Sequence, residues 1–149
     1  MRRWRSDSVE ATRAVGELLA RELAPDGCLL LYADLGAGKT VLAQGIARGL
    51  GIDPAEIQSP TYTLQREHEG TSGRLLHFDL YRLSPEEVAA AGFEEPLLGP
   101  GVKVVEWAER LPFTVPGALR LALTRVEGSD DPDSEARELH ELPEAPNAV

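Results

Sequence analysis

Four residues in one short run carry the clearest chemical signal of the sequence. Gly36, Gly38, Lys39 and Thr40 lie within ADLGAGKT. Small residues allow successive backbone N–H groups to close around phosphate oxygens, and a following helix N-terminus favours negative charge. The lysine would reach the β and γ phosphates, and the threonine hydroxyl would complete one position of an octahedral Mg²⁺ shell. The run therefore predicts a phosphate-binding loop, with Ala33 in place of its usual first glycine.

Two carboxylates could complete such a site. Asp79 ends the apolar run RLLHFD, and Glu106 ends VKVVE. A buried parallel strand delivers its last side chain to the carboxyl edge of the sheet, where ligands usually bind. Attack by water needs an acid that holds Mg²⁺ or its waters. The pattern alone does not rank the two acids, and capping of the next element is the alternative role. We interpret His77, two residues before Asp79, as a packed or hydrogen-bonded core histidine rather than a base.

The surrounding pattern places the glycine-rich run between a strand and a helix. After Asp7 and Ser8, either of which can cap a helix, apolar residues recur at helical spacing until Pro25. We expect a buried strand over 28–32 and a second helix over 38–50. Ser84, Pro85 and Glu87 predict another helix start, between the two runs that end in acids. This is the strand, loop and helix arrangement that a phosphate-binding loop requires.

The end of the chain carries two further segments. Residues 118–126 alternate as a strand, and 136–142 could pair with it, or 135–142 could form a short helix. We expect an α/β P-loop nucleotide-binding fold with a mostly parallel central sheet flanked by helices and with antiparallel C-terminal strands. A single domain over 1–142 and a flexible acidic tail over 143–149 complete this expectation.

Composition limits the possible partners and locations. The 149 residues carry a formal charge of −10, which argues against a large nucleic-acid footprint. From Glu127 onward there are eight Asp and Glu side chains against one Arg. The apolar runs are too short to cross a bilayer, so we expect a cytoplasmic protein without membrane contact. The lone cysteine, Cys28, is expected to be a buried and inert thiol.

With these segments in place, the chain resembles the TsaE (YjeE) family, the ATPase component of the bacterial system that makes threonylcarbamoyladenosine on tRNA. Four blocks carry the resemblance: ADLGAGKT, SPTYTL at 59–64, HFDLYRL at 77–83 and VVEWAER at 104–110. Their order and spacing, over about residues 8–142, make the match specific.

The resemblance implies ATP and Mg²⁺ as cofactors and TsaD- and TsaB-type synthase proteins as partners, with tRNA reached only through the complex. Adenine is also favoured because the Asn-Lys-x-Asp segment of guanine-specific relatives does not occur. The expected role is a slow, Mg²⁺-dependent ATPase that couples energy to the synthase. A stand-alone small-molecule or nucleoside kinase and a non-hydrolysing nucleotide switch are the alternatives.

The resemblance also assigns residues. The family's Mg²⁺ ligands fall on Thr40 and Glu106, and its essential aspartate falls on Asp79, which with Lys39 and Glu106 forms the catalytic set. Positions expected to bind the nucleotide are Leu35, Gly36, Ala37, Gly38, Lys39, Thr40, Thr12, Thr61 and Arg137. The block SPTYTL resembles a switch segment in which Thr61 or Thr63 could sense the γ-phosphate, or it is a plain surface loop.

Two positions depart from the family pattern. Many members read GDLGAGKTT where this chain has Ala33 and, after Thr40, Val41. The second change removes a hydroxyl near the expected position of the α-phosphate.

Overall fold

Seven strands form one sheet in the computed structural model, which describes residues 1–33, 38–57, 65–126 and 134–143. In chain order the strands are β1 (Arg3–Ser6), β2 (Cys28–Ala33), β3 (Gln65–Glu69), β4 (Arg74–Asp79), β5 (Val102–Glu106), β6 (Leu119–Arg125) and β7 (Arg137–Leu142). Their order across the sheet is β1-β7-β6-β2-β5-β4-β3.

The centre of the sheet is parallel and its margins are antiparallel. Strand β2 pairs in parallel with both β5 and β6, and β4 pairs in parallel with β5. The pairs β3–β4, β6–β7 and β1–β7 are antiparallel. A mixed α/β fold with a mostly parallel centre and antiparallel C-terminal strands is therefore confirmed. Strand β7 also decides between the two interpretations of the last segment, because its residues pair with β6 along their whole length.

The helices are α1 (Val9–Leu23), α2 (Lys39–Gly49), α3 (Pro85–Ala90) and α4 (Glu94–Leu97), with short 3-10 helices at Pro54–Glu56 and Ala108–Arg110. Two predicted caps are confirmed. The Ser8 hydroxyl accepts a hydrogen bond from the backbone N–H of Ala11 at 3.0 Å. Ser84 and Glu87 form a reciprocal capping box at the start of α3. Both caps satisfy N–H groups that a helix start otherwise leaves without partners.

Helices α1 and α2 cover one face of the sheet. Their buried side chains, such as Leu19 and Leu42, join Leu31 of β2, Val104 of β5 and Leu121 of β6 in one core. The two helices approach closely because Gly45 of α2 lies against the backbone of α1. This packing fixes the start of α2 relative to the end of β2.

A second core lies on the other face. Phe78 of β4 and Val105 of β5 pack there with Val88 of α3 and Leu97 of α4. Phe78 also meets Phe93 edge to face, with ring centroids 5.5 Å apart. Burial of successive residues explains why apolar side chains occur at adjacent positions in β4 and β5, since both faces of these central strands are covered.

Two further predictions concern the ends of the chain and its surroundings. Within the part of the chain that the structure describes, no helix is long and apolar enough to cross a membrane. The cytoplasmic location stays a prediction. Of the tail expected over 143–149, residues 144–149 lie outside the described residues.

Candidate active site at the carboxyl edge of the sheet

The two acids singled out in the sequence lie side by side. Asp79 is the last residue of β4, Glu106 is the last residue of β5, and the two are register partners in this parallel pair. Glu106 is also the register partner of Leu31 in β2, whose side chain lies in the core beneath α1 and α2. Both carboxylates therefore stand at the carboxyl edge, on the face that carries α2.

Asp79 is half-buried and held by the turn that follows it. Its Oδ1 accepts a hydrogen bond from the backbone N–H of Tyr81 at 3.0 Å. Burial raises the pKa of Asp79 above its usual range, and the neighbouring Glu106 carboxylate adds to this rise. The Tyr81 N–H, His77 and the Lys39 ammonium oppose it. Glu106, His77 and Lys39 are thus close enough to Asp79 to act on its carboxyl group.

Glu106 is more deeply placed, with 3% of its surface exposed. Its Oε2 is in hydrogen-bond contact with Nε2 of His77, which is 1% exposed. The interpretation of His77 as a hydrogen-bonded core histidine is confirmed, and its partner is the carboxylate expected to hold Mg²⁺. Sequence pattern placed His77 on the face of Asp79 but could not show that it reaches across to the next strand.

Lys39 is the first residue of α2 and lies near these acids. Only 8% of the residue is exposed, and its Nζ lies 3.9 Å from the centre of the Trp107 ring. Gly38, which precedes it, has φ +96°, a left-handed conformation that favours glycine. The half-buried Thr40 occupies the second position of the helix. The lysine ammonium is thus fixed at a helix N-terminus, beside the aromatic residue that follows Glu106.

Trp107 has an unusual backbone conformation, with φ 61° and ψ 44°. A bulky residue in this region costs free energy, and such residues cluster at functional sites. Its ring also packs against Tyr81, with centroids 4.9 Å apart. Aromatic side chains from two sequence blocks therefore meet beside Lys39.

Hydrogen bonds to backbone carbonyls join the same two blocks. The N–H of Leu80 donates to the carbonyl of Glu106 at 3.2 Å, and the guanidinium of Arg110 donates to the carbonyl of Leu83 at 2.9 Å. The segments HFDLYRL and VVEWAER are thus packed together at the carboxyl edge of the sheet.

Arg137 and Thr12 lie at a neighbouring corner. A Cβ atom added to Gly38 would lie 3.8 Å from Nε of Arg137, which opens β7. Arg137 pairs in register with Ser6 of β1, and the Ser6 hydroxyl bonds that of Thr12 at 2.6 Å. The Thr12 hydroxyl is also 3.3 Å from the carbonyl of Ser8. The guanidinium is thus close to the glycine-rich run, and nucleotide contacts of Arg137 and Thr12 stay predictions.

Several predicted contacts fall on parts of the chain outside the described residues. These are Leu35, Gly36 and Ala37 of the glycine-rich run and Thr61 and Thr63 of SPTYTL.

The oxygen donors at this edge are compatible in type with a magnesium ion. Among the described residues, no group of three or more His, Cys, Asp or Glu is arranged to hold a metal ion by itself. The carboxylates of Asp79 and Glu106 and the hydroxyl of Thr40 are hard oxygen donors, the type that Mg²⁺ prefers. Mg²⁺ usually takes one or two carboxylates and completes its shell with waters and substrate phosphates.

Fold and site together define the class of protein. It is an α/β protein whose candidate site lies at the carboxyl edge of parallel strands. At this edge, the helix that follows a glycine-rich run begins beside two paired acids. The sequence model of a family described as "Threonylcarbamoyl adenosine biosynthesis protein TsaE" matches residues 6–138. The chain therefore belongs to the TsaE family, as the four sequence blocks had indicated, and to threonylcarbamoyladenosine biosynthesis, a tRNA modification.

Individual relatives agree. A Nostoc sp. protein named "tRNA threonylcarbamoyladenosine biosynthesis protein TsaE" is 43% identical over 121 residues, covering 77% of this chain and 73% of its own. The Bacillus subtilis protein of that name is 37% identical over 129 residues, covering 87% and 80%. A crystal structure of the B. subtilis protein YdiB superposes with a TM-score of 0.69 at 32% identity, covering 94% of this chain and 83% of that one.

Proposed function

We propose that the chain is a P-loop ATPase that binds ATP with Mg²⁺, hydrolyses it slowly on its own, and couples this hydrolysis to a threonylcarbamoyladenosine synthase. TsaD- and TsaB-type proteins are the proposed partners, and tRNA is reached through them. The single observation that supports the chemistry best is the register pair Asp79 and Glu106, which stands beside Lys39 at the start of α2.

The proposal gives each residue a task. The positive charge of Lys39 interacts with phosphate oxygens. Because Gly38 has no side chain, the backbone can approach the phosphates closely there. The Thr40 hydroxyl and the Glu106 carboxylate hold the metal ion. Mg²⁺ held there would supply positive charge against the negative charge that develops during phosphoryl transfer. Asp79, half-buried and held by the Tyr81 N–H, is placed to hold a water molecule or a metal-bound water.

Charge supports an indirect relation to tRNA. A chain with a formal charge of −10 has little with which to neutralise RNA phosphates. The same reasoning bears on rate, because an arginine supplied by a partner accelerates phosphoryl transfer by about 10³-fold or more. We therefore expect the partner proteins to raise turnover, by supplying such a charge or by ordering SPTYTL against the nucleotide.

ATP turnover measured in four mixtures tests the proposal: the chain alone, with tRNA, with TsaD- and TsaB-type proteins, and with both. We expect slow turnover alone, no change with tRNA alone and clear stimulation by the proteins. Strong stimulation by tRNA alone would contradict the electrostatic argument. No turnover in any mixture, combined with partner affinity that differs between ATP and ADP, would favour the non-hydrolysing switch.

A further inference from the structure

His77 is buried near the carboxyl edge of the sheet, beside the candidate site, but the proposed function gives it no role. It lies on β4 opposite Val104 of β5, and Asp79 lies opposite Glu106. His77 and Glu106 are thus diagonal neighbours on the same face of adjacent strands, within reach of long side chains. Contact between Nε2 and Oε2 follows from this register.

The chemistry of the pair fixes which group donates. A carboxylate that binds Mg²⁺ is ionised and only accepts hydrogen bonds, so in the proposed site Nε2 of His77 is the donor. That bond occupies Oε2 of Glu106, and the remaining lone pairs of the carboxylate stay available for another ligand. The ring is locked in place, since His77 is 1% exposed.

A purely structural role explains this arrangement poorly. Other positions on the same face of these two strands, Leu75, Val102 and Val104, carry apolar side chains that join the core. Burying an imidazole and a carboxylate costs desolvation energy, and well-packed apolar residues in their place are often neutral or stabilising. The polar pair occurs at the end of the strands, where Asp79 and Lys39 are close.

We infer that His77 is a positioning residue that orients Glu106 for Mg²⁺, an inference that rests on the proposed function. Mg²⁺ demands near-ideal octahedral geometry, so a carboxylate free to rotate binds it less well than one fixed by a hydrogen bond. Partners of this kind typically contribute about 10- to 100-fold in metal affinity or activity.

Three substitutions test the inference. In His77→Gln the side-chain amide nitrogen can take the place of Nε2, in His77→Asn it is too short to do so, and in His77→Leu the donor is lost. The first readout is the Mg²⁺ concentration that gives half of the change in tryptophan fluorescence at saturating ATP, with Trp107 as the tryptophan beside Glu106. The second is the gain in unfolding temperature with ATP, measured with Mg²⁺ and with a chelator.

We expect His77→Leu and His77→Asn to raise the Mg²⁺ midpoint by about 10-fold or more, and His77→Gln to recover most of the wild-type affinity. Binding of ATP in chelator should be the same in all variants, because it depends on Lys39. In a Glu106→Gln background the effect of His77→Asn on the midpoint should largely disappear, since the two residues act through one contact.

The outcomes separate this inference from the function on which it rests. A wild-type Mg²⁺ midpoint in folded His77→Asn and His77→Leu would overturn the positioning role and leave the proposed function intact. If His77→Leu does not fold, the comparison of His77→Asn with His77→Gln decides in the same way. A wild-type chain that binds ATP equally with Mg²⁺ and with chelator would overturn both.

Discussion

Asp79 and Glu106 are opposite each other at the last positions of two neighbouring parallel strands, but their surroundings differ. Glu106 is buried against His77, whereas Asp79 is half-buried and accepts the N–H of the turn that follows it. One carboxylate is therefore rigidly held and the other lies closer to solvent. This difference is what we expect of a metal ligand next to a residue that handles water.

The first prediction concerns this division of roles. Glu106→Gln and Asp79→Asn should both reduce ATP turnover, but only Glu106→Gln should clearly raise the Mg²⁺ concentration needed for half-maximal rate, because a neutral amide is a weaker Mg²⁺ ligand. Titration of Mg²⁺ at saturating ATP measures this. A shift of the Mg²⁺ midpoint by Asp79→Asn alone would reverse the assignment.

Asp79→Asn should also stabilise the chain without nucleotide. Burial raises the pKa of Asp79 in the folded state, so its ionisation costs stability once the pH exceeds the unfolded value of 3.8. At neutral pH this cost is fully present, and the neutral amide removes it while still accepting the Tyr81 N–H. Thermal unfolding at pH 7 should show a higher midpoint.

Asp53→Asn is the matched control for this effect. Asp53 is exposed and accepts a turn hydrogen bond from the N–H of Ala55 at 2.9 Å. Its replacement should leave the unfolding midpoint nearly unchanged. A lower unfolding midpoint for Asp79→Asn than for the wild type would contradict this prediction, because it would show that the ionised aspartate stabilises the folded state.

A third prediction tests how α1 positions α2. A Cβ atom added to Gly45 would lie 2.1 Å from the carbonyl oxygen of Arg13 and 2.7 Å from its Cα, both in the backbone of α1. Gly45→Ala should therefore destabilise the chain by about 1–3 kcal/mol through overpacking, although alanine is the better helix former. Urea unfolding measures the change. Increased stability would mean that helix propensity outweighs the clash.

The central strands and the first helix were predictable from the sequence, whereas the two edge strands were not, for a physical reason. Strand β2 is buried and carries a continuous apolar run, β4 and β5 are buried and contain adjacent apolar residues, and α1 has clear helical spacing and a cap. Edge strands β1 (RWRS) and β3 (QREHE) are mostly polar and gave no alternating signal. Their strand structure depends on pairing with β7 and β4, which a local pattern does not contain.

The site shows the same division. Lys39, Thr40, Asp79 and Glu106 could be singled out as candidates because strand ends and a glycine-rich run mark them in the sequence. The hydrogen-bond partner of Glu106 could not be predicted, because the contact with His77 depends on the register between two strands and joins residues 29 positions apart in the chain. Proximity of Arg137 to Gly38 depends likewise on long-range pairing.

The fourth prediction concerns the lone thiol. Cys28 is 5% exposed, and burial raises its pKa to about 12 from an ordinary value of 9.0. In the native chain at pH 8 the Cys28 thiol should therefore resist alkylation by iodoacetamide, whereas in the urea-unfolded chain it should react fully. Between pH 9 and 12 stability should fall as pH rises, because the unfolded thiol loses its proton first. Rapid labelling of the native chain would contradict this burial.

Lys39 provides the most direct test of MgATP binding, which is the central claim. Lys39→Met keeps an unbranched chain against Trp107 but removes the charge that the proposal assigns to the phosphates. Lys103→Met is the matched control, because Lys103 is also buried, at 2% exposure, and its Nζ donates to the carbonyl of Asp26 at 2.7 Å. Its loss should lower stability and leave nucleotide binding unchanged.

The measurement is thermal unfolding of the three proteins with and without MgATP. Wild type and Lys103→Met should both gain stability by mass action, about 2.7 kcal/mol when MgATP is at 100 times its Kd. Lys39→Met should gain little. Equal gains in the wild type and Lys39→Met would contradict the assignment of Lys39 to the phosphate-binding site.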